Sequence, residues 1–93
     1  VKIKNLASGI SGRIPAQGVF IFVGILPNTA FLKPILQLDP AGFIVTDSQM
    51  LTSKPGVFAC GDCRAKSLYQ VVNACGEAAV AGYEANKYLL EQR

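Results

Sequence analysis

The chain has 93 residues, 51% of them apolar and 16% charged, with a formal net charge of +3, no histidine and three cysteines. That length fits one small domain with a real core. The nine Lys and Arg occur only singly, too scattered for a nucleic-acid footprint, and no apolar run approaches the roughly 18 residues that cross a bilayer. An odd cysteine count cannot close a disulfide framework, so the expected setting is a reducing cytoplasm. The charged fraction is well below the ~25% of ordinary soluble domains, which implies surface meant for burial against something else.

Val1-Lys2-Ile3-Lys4 alternates like the middle of a strand, with no initiating Met, so the sequence reads as a piece of something longer. A loop with Gly9 and Gly12 follows, then Arg13-Ile14-Pro15, which Pro15 keeps extended. Val19-Phe20-Ile21-Phe22-Val23 is continuous, β-branched and aromatic, and predicts a central strand buried on both faces and ended by Gly24. Pro27, Asn28 and Thr29 mark a turn. Residues 30–38 hold at most one helical turn, Asp39-Pro40-Ala41-Gly42 a tight turn, and residues 43–46 a short strand. Residues 47–55 read as polar loop anchored by Met50-Leu51.

Val57-Phe58-Ala59-Cys60 is a short apolar run between Pro55-Gly56 and Gly61-Asp62, and predicts a buried strand with a carboxylate at its end. From Leu68 the pattern is helical for about 23 residues. Leu68, Val72, Cys75, Ala79, Gly82, Asn86 and Leu89/Leu90 form the expected buried stripe, with Glu77, Glu84 and Glu91 on the expected wet one. Gly76, Gly82 and the many alanines predict a thin helix able to lie close to a sheet or cofactor.

Two constellations carry chemistry. Ligands of open α/β sheets sit at the carboxyl ends of strands. There Gly61 permits close approach and Asp62 can accept hydrogen bonds from sugar hydroxyls. The helix N-terminus behind them offers free N–H groups to an anion or polarised oxygen. A turn or cap role for Gly61-Asp62 is the plain alternative. Cys60-Gly61-Asp62-Cys63 also spells C-x-x-C, but a zinc site lacks its four ligands here. As a redox pair it would need an exposed Cys60, whereas Cys60 ends an apolar run, so all three cysteines read as small buried residues.

Gly56-Val57-Phe58-Ala59-Cys60-Gly61-Asp62 closely resembles the second flavin-contacting motif of the two-dinucleotide-domain flavoprotein reductases, and in particular the bacterial low-molecular-weight thioredoxin reductase family. The likeness spans nearly the whole chain. It includes Gly24-Ile25-Leu26-Pro27-Asn28-Thr29, where that family passes from its NADPH domain to its FAD domain, and the run from Tyr69-Gln70 to Ala78-Ala79. Two departures stand out: Tyr69 replaces the usual arginine, and Ala78-Ala79 follow Glu77 where a second glycine is usual.

The resemblance implies an α/β fold, a fragment of a Rossmann-like FAD/NAD(P)-binding flavoprotein with a β-meander and a long C-terminal helix. Residues 1–24 would close the NAD(P)H-binding domain and residues 25–93 complete the FAD-binding domain. The implied cofactor contacts are Gly61, Asp62, Cys63, Tyr69, Gln70 and Val71, with Asp62 on the flavin ribitol and the Gln70-Val71 backbone at the ring's N1/C2 oxygen edge. The implied parent is a homodimeric, cytoplasmic enzyme that passes electrons from NADPH through FAD to a thioredoxin-like protein disulfide, with no nucleic-acid or membrane partner. No catalytic residue or metal ligand would lie in this segment, and the segment alone would be inactive. The alternatives are a ferredoxin/flavodoxin-NADP reductase-type relative and a non-catalytic nucleotide-binding or assembly module.

Overall fold

A computed structural model describes residues 1–92; Arg93, the last residue of the expected second domain, lies outside the described residues. The chain opens with a hairpin of β1 (Lys2–Lys4) and β2 (Ser11–Arg13), with Lys2 opposite Arg13 and Ile3 opposite Gly12. Asn5 builds its turn: the side-chain oxygen accepts the N–H groups of Ala7 and Ser8 at 2.9 and 3.0 Å. Gly9, at φ +72°, donates back to the Asn5 carbonyl at 2.8 Å. This is the Asx-turn chemistry that makes asparagine a turn residue.

The expected central strand at residues 19–23 is not formed. No backbone hydrogen bond joins these residues to any described segment, and their side chains stand exposed, Phe22 at 90%. Phe20 and Phe22 still stack with centroids 6.5 Å apart, the i, i+2 neighbourhood of an extended chain. Local propensity survives here, but a strand is completed only by a partner's ladder of hydrogen bonds.

From residue 29 onward the chain closes on itself. The Thr29 hydroxyl, buried, donates to the Gly42 carbonyl. A 3-10 turn at Ala30–Leu32 supplies the expected single helical turn. Asp39 ties the next turn, its carboxylate accepting the N–H groups of Ala41 and Phe43 at 2.9 and 2.8 Å, with Gly42 at φ +93°. The strands expected at residues 43–46 and 57–60 are single bridges instead, because each meets a neighbour at only one or two positions. Ile44 bridges Leu38 and Arg64, Thr46 bridges Thr52, and Phe58 bridges Leu51. Of residues 57–60 only Ala59 is fully buried. Leu36, Ile44 and Ala59 form the core, packed by Leu32, Leu38, Val57 and Cys63.

The helix α1 (Val71–Glu91) begins three residues later than the periodicity suggests, because Gln70 is still extended at φ −140°, ψ 150°. Its covered face is the opposite of the expected one. Asn73, Ala74, Glu77, Ala81, Glu84, Ala85 and Tyr88 are buried or half-buried, whereas Val72, Cys75, Ala79, Gly82, Asn86, Leu89 and Leu90 are exposed. Leu68, ahead of the helix, is exposed too. Two contacts choose this face. Glu77 finds cations beneath it, and Tyr88 lies over Gly56 and edge-on to Phe58, with centroids 6.3 Å apart. Apart from the helix's own backbone, no described atom comes within 4 Å of where a Cβ would stand on Gly76 or Gly82, so the thin side of the helix is open.

Candidate functional site

The Gly-Asp motif lies where the core meets the helix. Cys60 is extended, Gly61 reverses the chain at φ +77°, and Gly61–Cys63 form a 3-10 turn. Only glycine adopts that φ without cost, and a Cβ on Gly61 would stand 3.9 Å from Ala74 Cβ in the first turn of α1. The turn thus packs directly against the start of the helix. No side chain caps α1. Its first intrahelical bond runs from the Ala74 N–H to the Gln70 carbonyl at 3.0 Å, so the N–H groups of Val71, Val72 and Asn73 have no intrahelical acceptor.

Asp62 projects from the turn with its side chain 59% exposed. Its nearest cation, Lys66, is 3.8 Å away, beyond hydrogen-bond reach. The carboxylate therefore keeps its acceptor positions, on a turn that packs against a helix start with free backbone donors.

What fixes this arrangement is Glu77, one and a half turns into α1. Its carboxylate accepts four hydrogen bonds: the Gly61 N–H at 2.8 Å, Arg64 Nη2 at 2.9 Å, Lys66 Nζ at 2.9 Å and Asn73 Nδ2 at 3.3 Å. Glu77 and Lys66 are only 6% and 5% exposed. Burial alone would raise the glutamate's pKa, but the bonds from Arg64, Lys66 and the Gly61 amide outweigh it and hold the value at about 2. Arg64 also donates to Thr46 Oγ1 at 3.0 Å, tying the cluster to the loop body.

Of the six residues singled out from the sequence, Gly61, Asp62 and Cys63 form the turn, and Gln70 and Val71 open the helix, exposed. Tyr69 is half-buried against Phe43, ring centroids 5.4 Å apart, with the Lys66 ammonium 5.4 Å above its ring. Cys63 is half-buried and donates to the Cys60 carbonyl at 3.3 Å. Burial pushes its thiol up; its backbone bond and Lys66 oppose this, and Cys60 and Glu77 add to it. All three cysteines are free thiols, and Cys75, expected in the core, is exposed. Sequence reasoning missed Glu77, Arg64 and Lys66. The available signal is a pair of cations right after Gly61-Asp62, matching Glu77, the first carboxylate in the helix that follows.

A family model described as pyridine nucleotide-disulphide oxidoreductase matches residues 2–78. The thioredoxin reductase of Listeria innocua is 45% identical over 91 residues, covering 98% of this chain and 28% of that protein. That of Peptoclostridium acidaminophilum is 49% identical, covering 92% and 29%. Among solved structures, Lactococcus lactis thioredoxin reductase superposes with a TM-score of 0.82 at 39% identity, over 97% of this chain and 30% of that one. The T. acidophilum thioredoxin reductase gives 0.82 at 38%, over 99% and 30%. The chain thus spans less than a third of the length of these relatives, and over that stretch it shares their fold. Sequence and backbone agree: the chain belongs to the pyridine nucleotide-disulphide oxidoreductase family.

Proposed function

We propose that this chain is the flavin-orienting segment of an NADPH-dependent disulfide reductase of the thioredoxin reductase type, with residues 1–24 closing the NAD(P)H domain and residues 25–93 completing the FAD domain. The observation that carries the reading is the exposed Asp62 carboxylate, held on a glycine turn against the uncapped N-terminus of α1.

These residues fit the cofactor's chemistry. Asp62 offers free acceptors to vicinal hydroxyls of a ribitol chain. The Val71 and Val72 N–H groups and the positive end of the helix suit a polarised ring oxygen. When bound, FAD relays two electrons between reduced nicotinamide and a disulfide. The rest of the segment's work is positioning: Gly61 lets the turn approach α1, Gln70 keeps the helix start open, and Tyr69 braces the connection on Phe43. With tyrosine where the family usually has arginine, stabilisation of negative charge at the ring edge falls to the backbone donors. The reacting disulfide, the nicotinamide site and the thioredoxin-like partner lie outside these residues, in a homodimeric, cytoplasmic parent. Among the described residues no helix is long and apolar enough to cross a membrane.

The test is thermal unfolding of the full-length parent and its Asp62→Ala variant across an FAD titration. A hydrogen bond to a charged acceptor is worth roughly 1.5–3 kcal/mol, or about 10- to 100-fold in affinity. Asp62→Ala should lose FAD by that factor while apoprotein stability holds, and Asp62→Asn should lose less. An equal deficit at zero and saturating FAD, with unchanged affinity, would make Asp62 a turn residue and refute the proposal.

A further inference from the structure

We infer that Glu77 is a positioning residue for the flavin-contacting turn: by holding Lys66 and the Gly61 amide it keeps the Asp62 carboxylate free to accept hydrogen bonds at the start of α1. The inference rests on the reading of Asp62 proposed above.

Glu77 Oε2 takes the Gly61 N–H and the Lys66 ammonium, and Oε1 takes Arg64 and Asn73. One buried side chain therefore joins the turn that carries Asp62, the connection that follows it, and the first turns of α1. Lys66 lies between two carboxylates, 2.9 Å from Glu77 and 3.8 Å from Asp62. Its ammonium is almost wholly buried, and a buried charge requires an anion. With Glu77 ionised, that anion is Glu77, and Asp62 stays outside hydrogen-bond range. With Glu77 neutral, Asp62 is the nearest remaining carboxylate. The ammonium would then turn to Asp62 and occupy the acceptors that a ligand hydroxyl needs. The depressed pKa of Glu77 keeps it ionised across the physiological range.

A purely structural cluster would lower stability without changing what Asp62 offers, so the two roles separate by experiment. In the full-length parent, Glu77→Gln keeps the shape and an acceptor for the Gly61 amide but removes the charge. FAD affinity, read by quenching of flavin fluorescence at pH 7, should fall about tenfold. Adding Lys66→Met to Glu77→Gln removes the competing cation and should restore affinity to within about threefold of wild type. Asp62→Ala/Glu77→Gln should bind no more weakly than Asp62→Ala alone. The inference is overturned if Glu77→Gln lowers the apoprotein's unfolding temperature yet leaves FAD affinity unchanged, or if Lys66→Met fails to restore it. Should Glu77→Gln not fold, Lys66→Met alone decides: Glu77 already holds Lys66 off Asp62 in the wild type, so FAD affinity should stay within about threefold of wild type, and a larger gain or loss overturns the inference. If Asp62→Ala itself retains FAD, the reading of Asp62 fails first, which distinguishes the two failures.

Discussion

Residues 1–28 and residues 29–92 are similarly rich in apolar side chains, yet only the second region has an interior. The first contains no buried residue, and every buried side chain of the described residues falls in the second. A three-pair hairpin followed by an exposed apolar run is marginal alone, because two strands cannot bury both of their faces. The second region closes by short-range devices: Asx turns at Asp39 and Asp47, single bridges around Ile44, and one buried carboxylate that joins loop to helix. Apolar content supplies the material for a core, but local closure decides where a core forms.

The largest way to break this contrast is Glu77→Ala. It strands the Arg64 and Lys66 charges and the Gly61 amide, and removing one partner of a buried pair costs roughly 3–5 kcal/mol. Urea unfolding followed by helix circular dichroism should show that loss. Acid reaches the same cluster. Glu77 has a folded pKa depressed from 4.5 to about 2, so its contribution is fully present above about 4.5 and is lost as pH falls through about 2. Stability of residues 29–92 should decline over that window, and Glu77→Gln should flatten the decline.

Ile44→Ala, at a site 4% exposed, should cost roughly 2–5 kcal/mol in the same urea experiment. Gly56→Ala should cost about 1–2 kcal/mol, because φ is +77° and a Cβ would stand 3.1 Å from the Tyr88 ring. Phe22→Asp lies in the other region and should change unfolding by no more than about 0.5 kcal/mol. What it should change is association: sedimentation should show more monomer, since an exposed aromatic run is the kind of surface that sticks.

The same contrast explains what the sequence made legible. The Gly61-Asp62 turn, the Asp39 to Gly42 turn, the buried Met50 and the long C-terminal helix were all readable, because each depends on residues close in the chain. The strand at residues 19–23 was readable as a propensity but not as a structure, since its partners are not local. The helix face was misread for a different reason. Hydropathy assigns every glutamate to water, and Glu77 is buried because Arg64 and Lys66, 13 and 11 residues away, neutralise it. The same periodicity assigns Cys75 and Val72 to the core, and they are exposed once the opposite face is chosen.

The fold is held from residue 29 onward, with Glu77 fastening the Gly61 turn to α1. Residue-resolved amide hydrogen exchange on this chain, at pH 7 and again at pH 2, tests it most directly. Slow exchange is expected at Ile44, Thr52, Ala59 and Gly61, near-unprotected exchange at residues 19–23, and loss of the Gly61 protection at pH 2. Protection at residues 19–23 equal to that at Ala59, or a Gly61 protection factor, taken against the intrinsic rate at each pH, that is no higher at pH 7 than at pH 2, would contradict it.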